Sequence, residues 1–472
     1  MFAIRMQMKS LLSVFIVVSA FIAVLFFSGG CASVVPPSGG PRDSLPPVIV
    51  EVDPPNQSTN FNSDKITIKF DEYVDLENPF ENLVISPLPK KFPDVRRKLK
   101  TIEIKLKDTL EKNTTYVFNF RNTIKDVHEG NKAKDMLYVF STGAYFDSLQ
   151  LSGNVKIART GKADSTLTVM LYSNLNDSAV VKERPRYITR VDTTGTFLFR
   201  YLAPGTYRLY ALKDEGGSYR YDDKTQIFAF ADSAVVLRGG APPPEPVRLY
   251  AYQEEEETKE PVTEEEETRR LKYTTNLDGE KQDLLQALEF KFTTPIRIFD
   301  PAKMQLTTDS SFTPATGQRF TLDSTKRVLT MNMLWVESKK YNLILERDFA
   351  TDSVGRQLLK KDTVKFTTKS RAEYGQVKLT FLNLDMNINP VLLLMQNEKV
   401  TNAFPLRSNV LELQLINPGD YEMHLLQDRN KNGKWDPGEF FVEKRQPELI
   451  TKLARTLNVK PNWLTEFEVR IQ

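Results

Sequence analysis

The chain repeats itself at a fixed interval, and this duplication limits its fold more than any other feature of the sequence. Pro204-Gly205-Thr206-Tyr207 leads into RLYALKD, which ends at Asp214. Pro418-Gly419-Asp420-Tyr421 leads into EMHLLQD, which ends at Asp428. The two motifs are 214 residues apart at both ends (418 − 204 and 428 − 214). Self-similarity at a fixed period indicates repeated structural units rather than one large core.

A second pair of similar segments supports the duplication, because one member of the pair precedes each of these motifs. Tyr138-Val-Phe-Ser-Thr-Gly143 closes one block and Val364-Lys-Phe-Thr-Thr368 closes the other. Upstream of them, Asn113-Thr-Thr-Tyr116 matches Ser338-Lys-Lys-Tyr341. The chain therefore has the order A-B-A′-B′, in which a two-domain unit occurs twice.

Short alternating segments predict that these units are built from β-strands. Ile66–Phe70, Ile102–Leu106 and Tyr116–Phe120 alternate apolar and other residues with period two. Such segments place one face in a core and the other in water. Turn signals such as Asp53-Pro54-Pro55-Asn56 separate them, and many short strands at this spacing favour β-sandwiches. The predicted fold class is all-β.

The N-terminus has the three parts of an export signal. Arg5 and Lys9 are basic, residues 11–27 are almost entirely apolar, and the small residues 28–30 precede Cys31. Basic region, apolar core and small-residue exit are typical of a secretory signal peptide. Because the apolar region approaches the length of a spanning helix, an uncleaved N-terminal anchor is the alternative.

Cys31 is the only cysteine of the 472 residues. Its position after the apolar run resembles the lipobox of bacterial lipoproteins, which implies that the signal is removed and that acyl chains such as palmitate are attached to Cys31. Several acyl chains anchor a protein stably. The resemblance implies an outer membrane lipoprotein. Ala32-Ser33-Val34-Val35 lacks the acidic cluster of surface-exported relatives, which favours the periplasmic face.

The A block resembles the bacterial Ig-like domain of surface-layer proteins and of many Bacteroidetes lipoproteins. Its motifs are VDPPNQS, IKFDEYV, NTTYVFNF and VFSTG, within residues 45–145, and a weaker copy covers residues 285–370. The opening proline motif is absent from this second copy. The resemblance implies a seven-stranded sandwich in a cell-envelope setting, without catalytic residues.

The B block is similar to the transthyretin-like or carboxypeptidase-regulatory-like sandwich. Leu151–Val155, Asp192–Gly195, Phe197–Phe199 and Leu202–Tyr207 carry the likeness. The turn at Asp192–Gly195 and the alternation around it agree with a β-hairpin. The resemblance implies a structural and binding module. The predicted architecture is thus a tandem array of Ig-like and transthyretin-like β-sandwiches.

Composition shifts set the predicted boundaries. Residues 252–270 hold two runs of four glutamates around Pro261, which we interpret as a solvated linker, with an acidic docking strip for a basic partner as the alternative. The predicted segments are 1–30, signal peptide; 31–47, Pro/Gly-rich tether; 48–145, A; 148–250, B; 251–272, acidic linker; 273–370, A′; and 374–472, B′.

Residues 428–439, DRNKNGKWDPGE, fit the calcium-loop pattern D-x-[DN]-x-[DN]-G-x5-E. Alternate short oxygen-bearing side chains converge on one centre, glycine permits the sharp turn, and the last glutamate closes the coordination sphere. The segments flanking the loop, residues 421–426 and 440–443, have the pattern of strands rather than of EF-hand helices. The candidate Ca²⁺ ligands are Asp428, Asn430, Asn432, the backbone carbonyl of Lys434, Asp436 and Glu439.

One alternative to calcium stays open for this region, and the corresponding loop of B is a second, weaker candidate. The asparagines and glycines of a long β-hairpin serve turn geometry. The equivalent loop of B, residues 214–222, has glycine where B′ has its middle ligands and is a weaker candidate.

Other chemistry has little support in the sequence. The chain has two histidines, His128 and His424, no G-x-S-x-G elbow and no phosphate-binding glycine loop. Its 64 basic and 61 acidic residues give no electrostatic case for nucleic acid. The predicted function is a non-enzymatic, membrane-anchored scaffold or binding lipoprotein of the cell envelope, with envelope proteins or glycans as partners. The alternative is a carbohydrate-binding or carbohydrate-processing accessory lipoprotein.

Overall fold

The computed structural model describes residues 43–134, 136–240, 244–255, 270–308 and 313–471. The predicted signal peptide, Cys31, most of the tether and most of the acidic linker lie outside these ranges. Within them the fold is almost entirely β, as predicted, and no helix is long and apolar enough to cross a membrane. The helical elements described are α1 (Pro79–Asn82), α2 (Ala179–Lys182) and the 3-10 turns Pro301–Lys303, Arg371–Glu373 and Met386–Ile388.

Domain A consists of nine strands around one apolar core. The sheet orders are β1-β2-β6-β5, β4-β7-β9 and the pair β3-β8. In β2, Ile66, Ile68 and Phe70 are buried while Lys65 and Lys69 are exposed, as the alternation predicts. The strands are β1 (Ile49–Asp53), β2 (Lys65–Phe70), β3 (Val74–Leu76), β4 (Val84–Ser86), β5 (Asp94–Lys98), β6 (Thr101–Lys105), β7 (Thr115–Asn119), β8 (Ile124–Asp126) and β9 (Leu137–Ser141).

Domain B begins and ends with strands that pair in parallel. β10 pairs with β17 on one side and with β13 on the other, and β14 lies between β11 and β15. Phe197, Phe199 and Leu209 fill the core between these layers. The strands are β10 (Leu149–Ile157), β11 (Thr168–Tyr172), β12 (Tyr187–Arg190), β13 (Thr196–Leu202), β14 (Gly205–Leu212), β15 (Ile227–Phe230), β16 (Val235–Leu237) and β17 (Val247–Gln253).

Domain A′ has its own core, which includes Phe290, Leu329 and Leu343. Its sheet orders are β18-β20-β25-β24, β19-β28-β26-β22-β23 and the pair β21-β27. The strands are β18 (Tyr273–Thr275), β19 (Lys281–Gln282), β20 (Leu288–Phe292), β21 (Ile296–Phe299), β22 (Met304–Thr308), β23 (Thr313–Pro314), β24 (Arg319–Leu322), β25 (Val328–Asn332), β26 (Lys340–Leu345), β27 (Ala350–Asp352) and β28 (Asp362–Thr368).

Domain B′ encloses a core that includes Leu379, Leu394 and Met423. Its sheets have the orders β31-β30-β33-β34 and β32-β29-β35, and its first and last strands, β29 and β35, again pair in parallel. The strands are β29 (Gly375–Leu382), β30 (Pro390–Gln396), β31 (Lys399–Pro405), β32 (Val410–Ile416), β33 (Gly419–Gln427), β34 (Ile450–Val459) and β35 (Leu464–Arg470).

The sheet orders show the duplication directly. The order β1-β2-β6-β5 of A recurs as β18-β20-β25-β24 in A′, and β4-β7-β9 recurs as β22-β26-β28. Strand β18 stands where β1 stands in A, although A′ lacks the opening proline motif. In B and B′, β13-β10-β17 corresponds to β32-β29-β35. The described chain is therefore a duplicated A-B-A′-B′ array of β-sandwiches.

Candidate functional site

The loop after β33 is organised around two aspartates. Buried Asp428 accepts hydrogen bonds from the backbone nitrogens of Asn432 and Gly433, at 3.2 and 2.7 Å. The Asp436 carboxylate accepts from the side-chain amides of Asn430 and Asn432, both at 2.7 Å. The Lys434 nitrogen donates to the Asn432 side chain at 2.7 Å. Five of the six candidate ligand residues therefore share one compact loop.

Glu439, the sixth candidate, lies outside this loop. Burial opposes ionisation of its side chain, but the backbone N–H groups of Glu443 and Val442 outweigh burial and hold its pKa below the ordinary value. It closes a local turn, so residues 440–443 do not form the predicted strand. The carboxylate at the loop is instead that of buried Glu448, which accepts from the nitrogens of Arg429 at 2.7 Å and Asp436 at 3.1 Å.

Glu448 is an acid in a crowded, negatively charged setting. Burial raises its pKa above the ordinary value of glutamate, and the charges of Asp436 and Asp428 raise it further. A cation would relieve this repulsion. Across the described residues, however, no three His, Cys, Asp or Glu side chains are grouped so that they could hold a metal ion. Calcium binding would require the amides of Asn430 and Asn432 to turn their oxygens toward the loop centre.

Residues 437–447 form an arm that leaves B′ and packs on domain B. Phe440 is 2% exposed, and its ring centroid lies 5.1 to 5.6 Å from those of Phe230, Phe228 and Tyr210. Phe441 stacks on Tyr221 at 6.0 Å. Aromatic pairs in such geometries contribute about 0.5–1.5 kcal/mol beyond their buried area. The arm therefore fastens the second half of the chain to the first.

Gly438 allows this approach. A Cβ at this position would lie 2.5 Å from Cζ of Tyr252, so any side chain would displace the arm or the ring. Burial raises the pKa of Tyr252 above its ordinary value, in keeping with a ring covered by the arm.

Polar contacts surround the aromatic cluster. The side-chain amide of Gln446 donates to the Phe230 carbonyl at 3.1 Å and to the Asp232 carboxylate at 2.7 Å. Lys444 forms an ion pair with Asp177. A second point of contact lies at the start of β34, where the Ile450 nitrogen donates to the Ala158 carbonyl at 3.1 Å.

We call the arm, together with the contacts of Gln446, Lys444 and Ile450 to domain B, the B–B′ junction. Trp435 also belongs to it. The guanidinium of Arg159 lies 5.5 Å from the Trp435 ring centroid, and the indole nitrogen donates to the Glu448 carbonyl at 2.7 Å. Loop, arm and junction are thus one continuous structure. The sequence carried a signal for it, since Ile227–Phe230 is apolar at every position, which is typical of a strand buried on both faces.

The remaining candidates are dispersed. In the B loop, Asp214 accepts from the nitrogens of Gly216 at 3.2 Å and Tyr219 at 2.5 Å, and the Tyr221 ring stacks on Phe228 at 4.1 Å. His128 lies beside Tyr73 at 6.5 Å. His424 lies on β33, where its Nε2 is 3.3 Å from the Glu422 carboxylate.

Comparison with known proteins supports the Ig-like prediction for A. A family model described as a bacterial Ig-like domain matches residues 43–142. No curated protein matches the chain.

Similar solved structures are distant. They include the N-terminal part of the bacterial S-layer protein SbsC (16% identity, 44% of each chain covered, TM-score 0.16). BcpA, the major pilin subunit of Bacillus cereus, matches at 11% identity over 68% of this chain and 98% of that one, with a TM-score of 0.17. The Bacillus anthracis TIE protein matches at 11% over 92% and 76%, also with 0.17. At these identities and TM-scores the matches carry no argument about function.

Proposed function

We propose that this protein is a non-enzymatic lipoprotein that acts as a scaffold or binding protein of the bacterial cell envelope. The observation that carries the proposal is the B–B′ junction. It uses the arm, an element with no role in the core of B′, to fasten one half of the chain to the other. Because the arm holds domain B′ against domain B, the surfaces of the two domains keep a fixed relative position, which suits a scaffold or binding protein.

The proposed anchor is lipid on Cys31, which holds the array at the outer membrane, on its periplasmic face. The support comes from the sequence of the first 31 residues. The test is metabolic labelling with radioactive palmitate, followed by membrane fractionation of wild type, Cys31→Ala and the matched control Ser33→Ala. We expect label and membrane association in wild type and Ser33→Ala and loss of both in Cys31→Ala. Equal labelling of Cys31→Ala would contradict the anchor.

The membrane face is tested separately by protease treatment of intact cells. A lipoprotein on the periplasmic face survives this treatment and is degraded only after the outer membrane is opened. Degradation in intact cells would place the protein on the surface.

We also propose that Ca²⁺ binds the loop around Asp428 and Asp436. Carboxylate and amide oxygens are ligands that Ca²⁺ prefers, and Glu448 replaces Glu439 as the closing carboxylate. The supporting observation is geometric: buried Asp428 and Glu448 both accept hydrogen bonds from backbone nitrogens of this loop, and the Asp436 carboxylate accepts from its two asparagine amides. The ion would stiffen the base of the arm.

Calorimetric titration of the chain with CaCl₂ tests the calcium proposal. We expect binding by wild type and by the control Glu439→Ala, and loss of binding in Asn430→Ala, whose side chain is at the surface. Absence of heat in wild type, or equal loss in Glu439→Ala, would refute the assignment.

A carbohydrate-binding role is the alternative. The tryptophans do not provide an aromatic platform for it: Trp335 packs on Tyr341 and Phe366, Trp435 is covered by Arg159, and Trp463 is exposed at 64%. A platform of several exposed tryptophans is therefore not found among the described residues.

A further inference from the structure

The loop between β25 and β26 of domain A′ has apolar side chains on both of its faces. Met333 and Trp335 pack against the core of A′. Leu334 and Val336 alternate with them and point into solvent, where they are 95% and 55% exposed. Exposed aliphatic side chains that follow each other so closely are unfavourable in water and mark a contact surface.

A third exposed aliphatic side chain comes from the neighbouring loop, between β19 and β20. The Trp335 indole nitrogen donates to the Gln286 carbonyl at 3.0 Å and so joins the two loops. Leu285, next to Gln286 in the chain, is 47% exposed. We call Leu285, Leu334 and Val336 the apolar tip of A′.

Domain A has the same loop without an apolar tip. At the offset of 225 residues between the two blocks (341 − 116), Leu110 corresponds to Trp335 and likewise packs against its core. The positions on either side of it, Thr109 and Glu111, are exposed and polar. The fold therefore does not require apolar residues at the tip, and their presence in A′ indicates contact with a second surface.

Two lysines adjoin the apolar tip. Lys339 and Lys340 are exposed, and neither forms an ion pair in the part of the chain that the structure describes. The Lys339 ammonium lies 5.9 Å from the Tyr341 ring centroid. The corresponding residues of A, Thr114 and Thr115, are buried and uncharged. Positive charge beside the loop is therefore also specific to A′.

The acids that flank the tip in the sequence already have partners. Glu337 accepts from the Arg371 backbone nitrogen at 2.9 Å, and its carboxylate lies 3.7 Å from the guanidinium of the same residue. Asp283 accepts from the Tyr374 hydroxyl at 2.9 Å and lies 3.8 Å from the Lys369 ammonium. The two lysines therefore remain available to an anionic surface.

We propose that the apolar tip of A′ inserts into the surface of a phospholipid bilayer that contains anionic headgroups. Aliphatic side chains enter the boundary between headgroups and acyl chains, and lysines beside them are attracted to anionic lipid. The inference goes beyond the proposed function, because it requires neither lipid on Cys31 nor calcium in the loop of B′.

A protein partner fits the tip less well than a bilayer does. A stable protein–protein interface buries about 800 Å² on each partner, and three aliphatic side chains cover much less. A bilayer needs no complementary shape, and binding gains from each side chain that leaves water.

The test is flotation of the chain from Ala32 onward with phosphatidylcholine vesicles and with vesicles that also contain phosphatidylglycerol. This chain retains every described domain and lacks Cys31, so acylation does not contribute. The variants are Leu334→Ser and Lys340→Gln. Their matched controls are Val354→Ser, 69% exposed, and Lys360→Gln, also exposed. Both controls lie in the connection at the other end of strands β26 and β28.

A fluorophore gives a second measurement at the tip itself. The chain from Ala32 onward has no cysteine, so Leu334→Cys provides a single thiol for a nitrobenzoxadiazole label, and Val354→Cys is the control. Insertion should shift the emission of the label at position 334 to the blue when phosphatidylglycerol vesicles are added, and leave the label at position 354 unchanged. Melting curves check that all variants are folded.

We expect wild type and both controls to float equally with the phosphatidylglycerol vesicles. Leu334→Ser should bind at least about tenfold more weakly, as loss of one buried leucine implies, and Lys340→Gln about fivefold more weakly. No flotation of wild type, or equal flotation of Leu334→Ser, would overturn the proposal. A blue shift that grows with protein concentration in buffer alone would assign the tip to contact between copies and would also overturn it. A failed flotation leaves palmitate labelling of Cys31 untouched.

Discussion

Replacing Phe440 with alanine removes the centre of the B–B′ junction. The side chain is 2% exposed and contacts three aromatic rings of B. Truncation of a buried phenylalanine to alanine costs about 3–5 kcal/mol. The arm has no regular secondary structure and can partly relax, so we take the lower figure, about 3 kcal/mol. Each 1.4 kcal/mol is a factor of ten in an equilibrium, so the population with the arm released should rise on the order of 10²-fold.

Limited proteolysis measures this population. Trypsin cuts after Lys444 and Arg445 once the arm is released from domain B. When the arm opens and closes faster than trypsin cuts, the rate of cleavage is proportional to the fraction of molecules with the arm released. Phe441→Ala is the matched control, because Phe441 is 45% exposed and should give a much smaller increase. Unchanged cleavage in Phe440→Ala, or equal acceleration in both variants, would refute the view that Phe440 fastens the halves together.

Two further predictions concern other positions. Gly438→Ala should accelerate the same cleavage because its Cβ would clash with the Tyr252 ring, whereas Gly216→Ala, whose Cβ would meet nothing closer than 3.9 Å, should not. In domain A, burial opposes ionisation of Asp126, but the N–H groups of Gly130, Glu129 and Asn131 outweigh burial and lower its pKa. Because the pKa of Asp126 is lower in the folded state than in the unfolded chain, its carboxylate stabilises the fold at pH values above the unfolded pKa of about 3.9. This stabilisation is lost as the pH falls through the folded-state pKa. Asp126→Asn should therefore lower the melting temperature at pH 6 and flatten its fall below about pH 4; an unchanged acid profile would argue against this role.

The sequence predicted the strands well because their cause is local. Alternation in Ile66–Phe70 and in Phe197–Phe199 follows directly from one buried face, and the structure has strands at both places. The duplication was also visible, since the turn before Tyr207 recurs before Tyr421 with the same role at the start of a strand.

The B–B′ junction could not be predicted in the same way, because it depends on contacts between residues more than 200 positions apart. Phe440 and Phe228 are separated by two domain boundaries, and no local pattern records their contact. The position of Glu439 was also hard to predict, for a related reason. The spacing rule assumes a continuous twelve-residue loop. Here the chain runs out through the arm and returns, so that Glu448 accepts a hydrogen bond from the loop while Glu439 accepts from Val442 in the arm.

Zero-length cross-linking of the protein in isolated envelopes tests the central claim most directly. A carbodiimide joins carboxylates to amines that are in contact, and the claim predicts two linked peptide pairs within one chain, Lys444 with Asp177 and Lys162 with Glu398. Lys65 with Glu103 inside domain A is the internal control. Recovery of both links between B and B′ from monomers would support a braced scaffold. Recovery of the control link alone would show that the two halves are not fastened together.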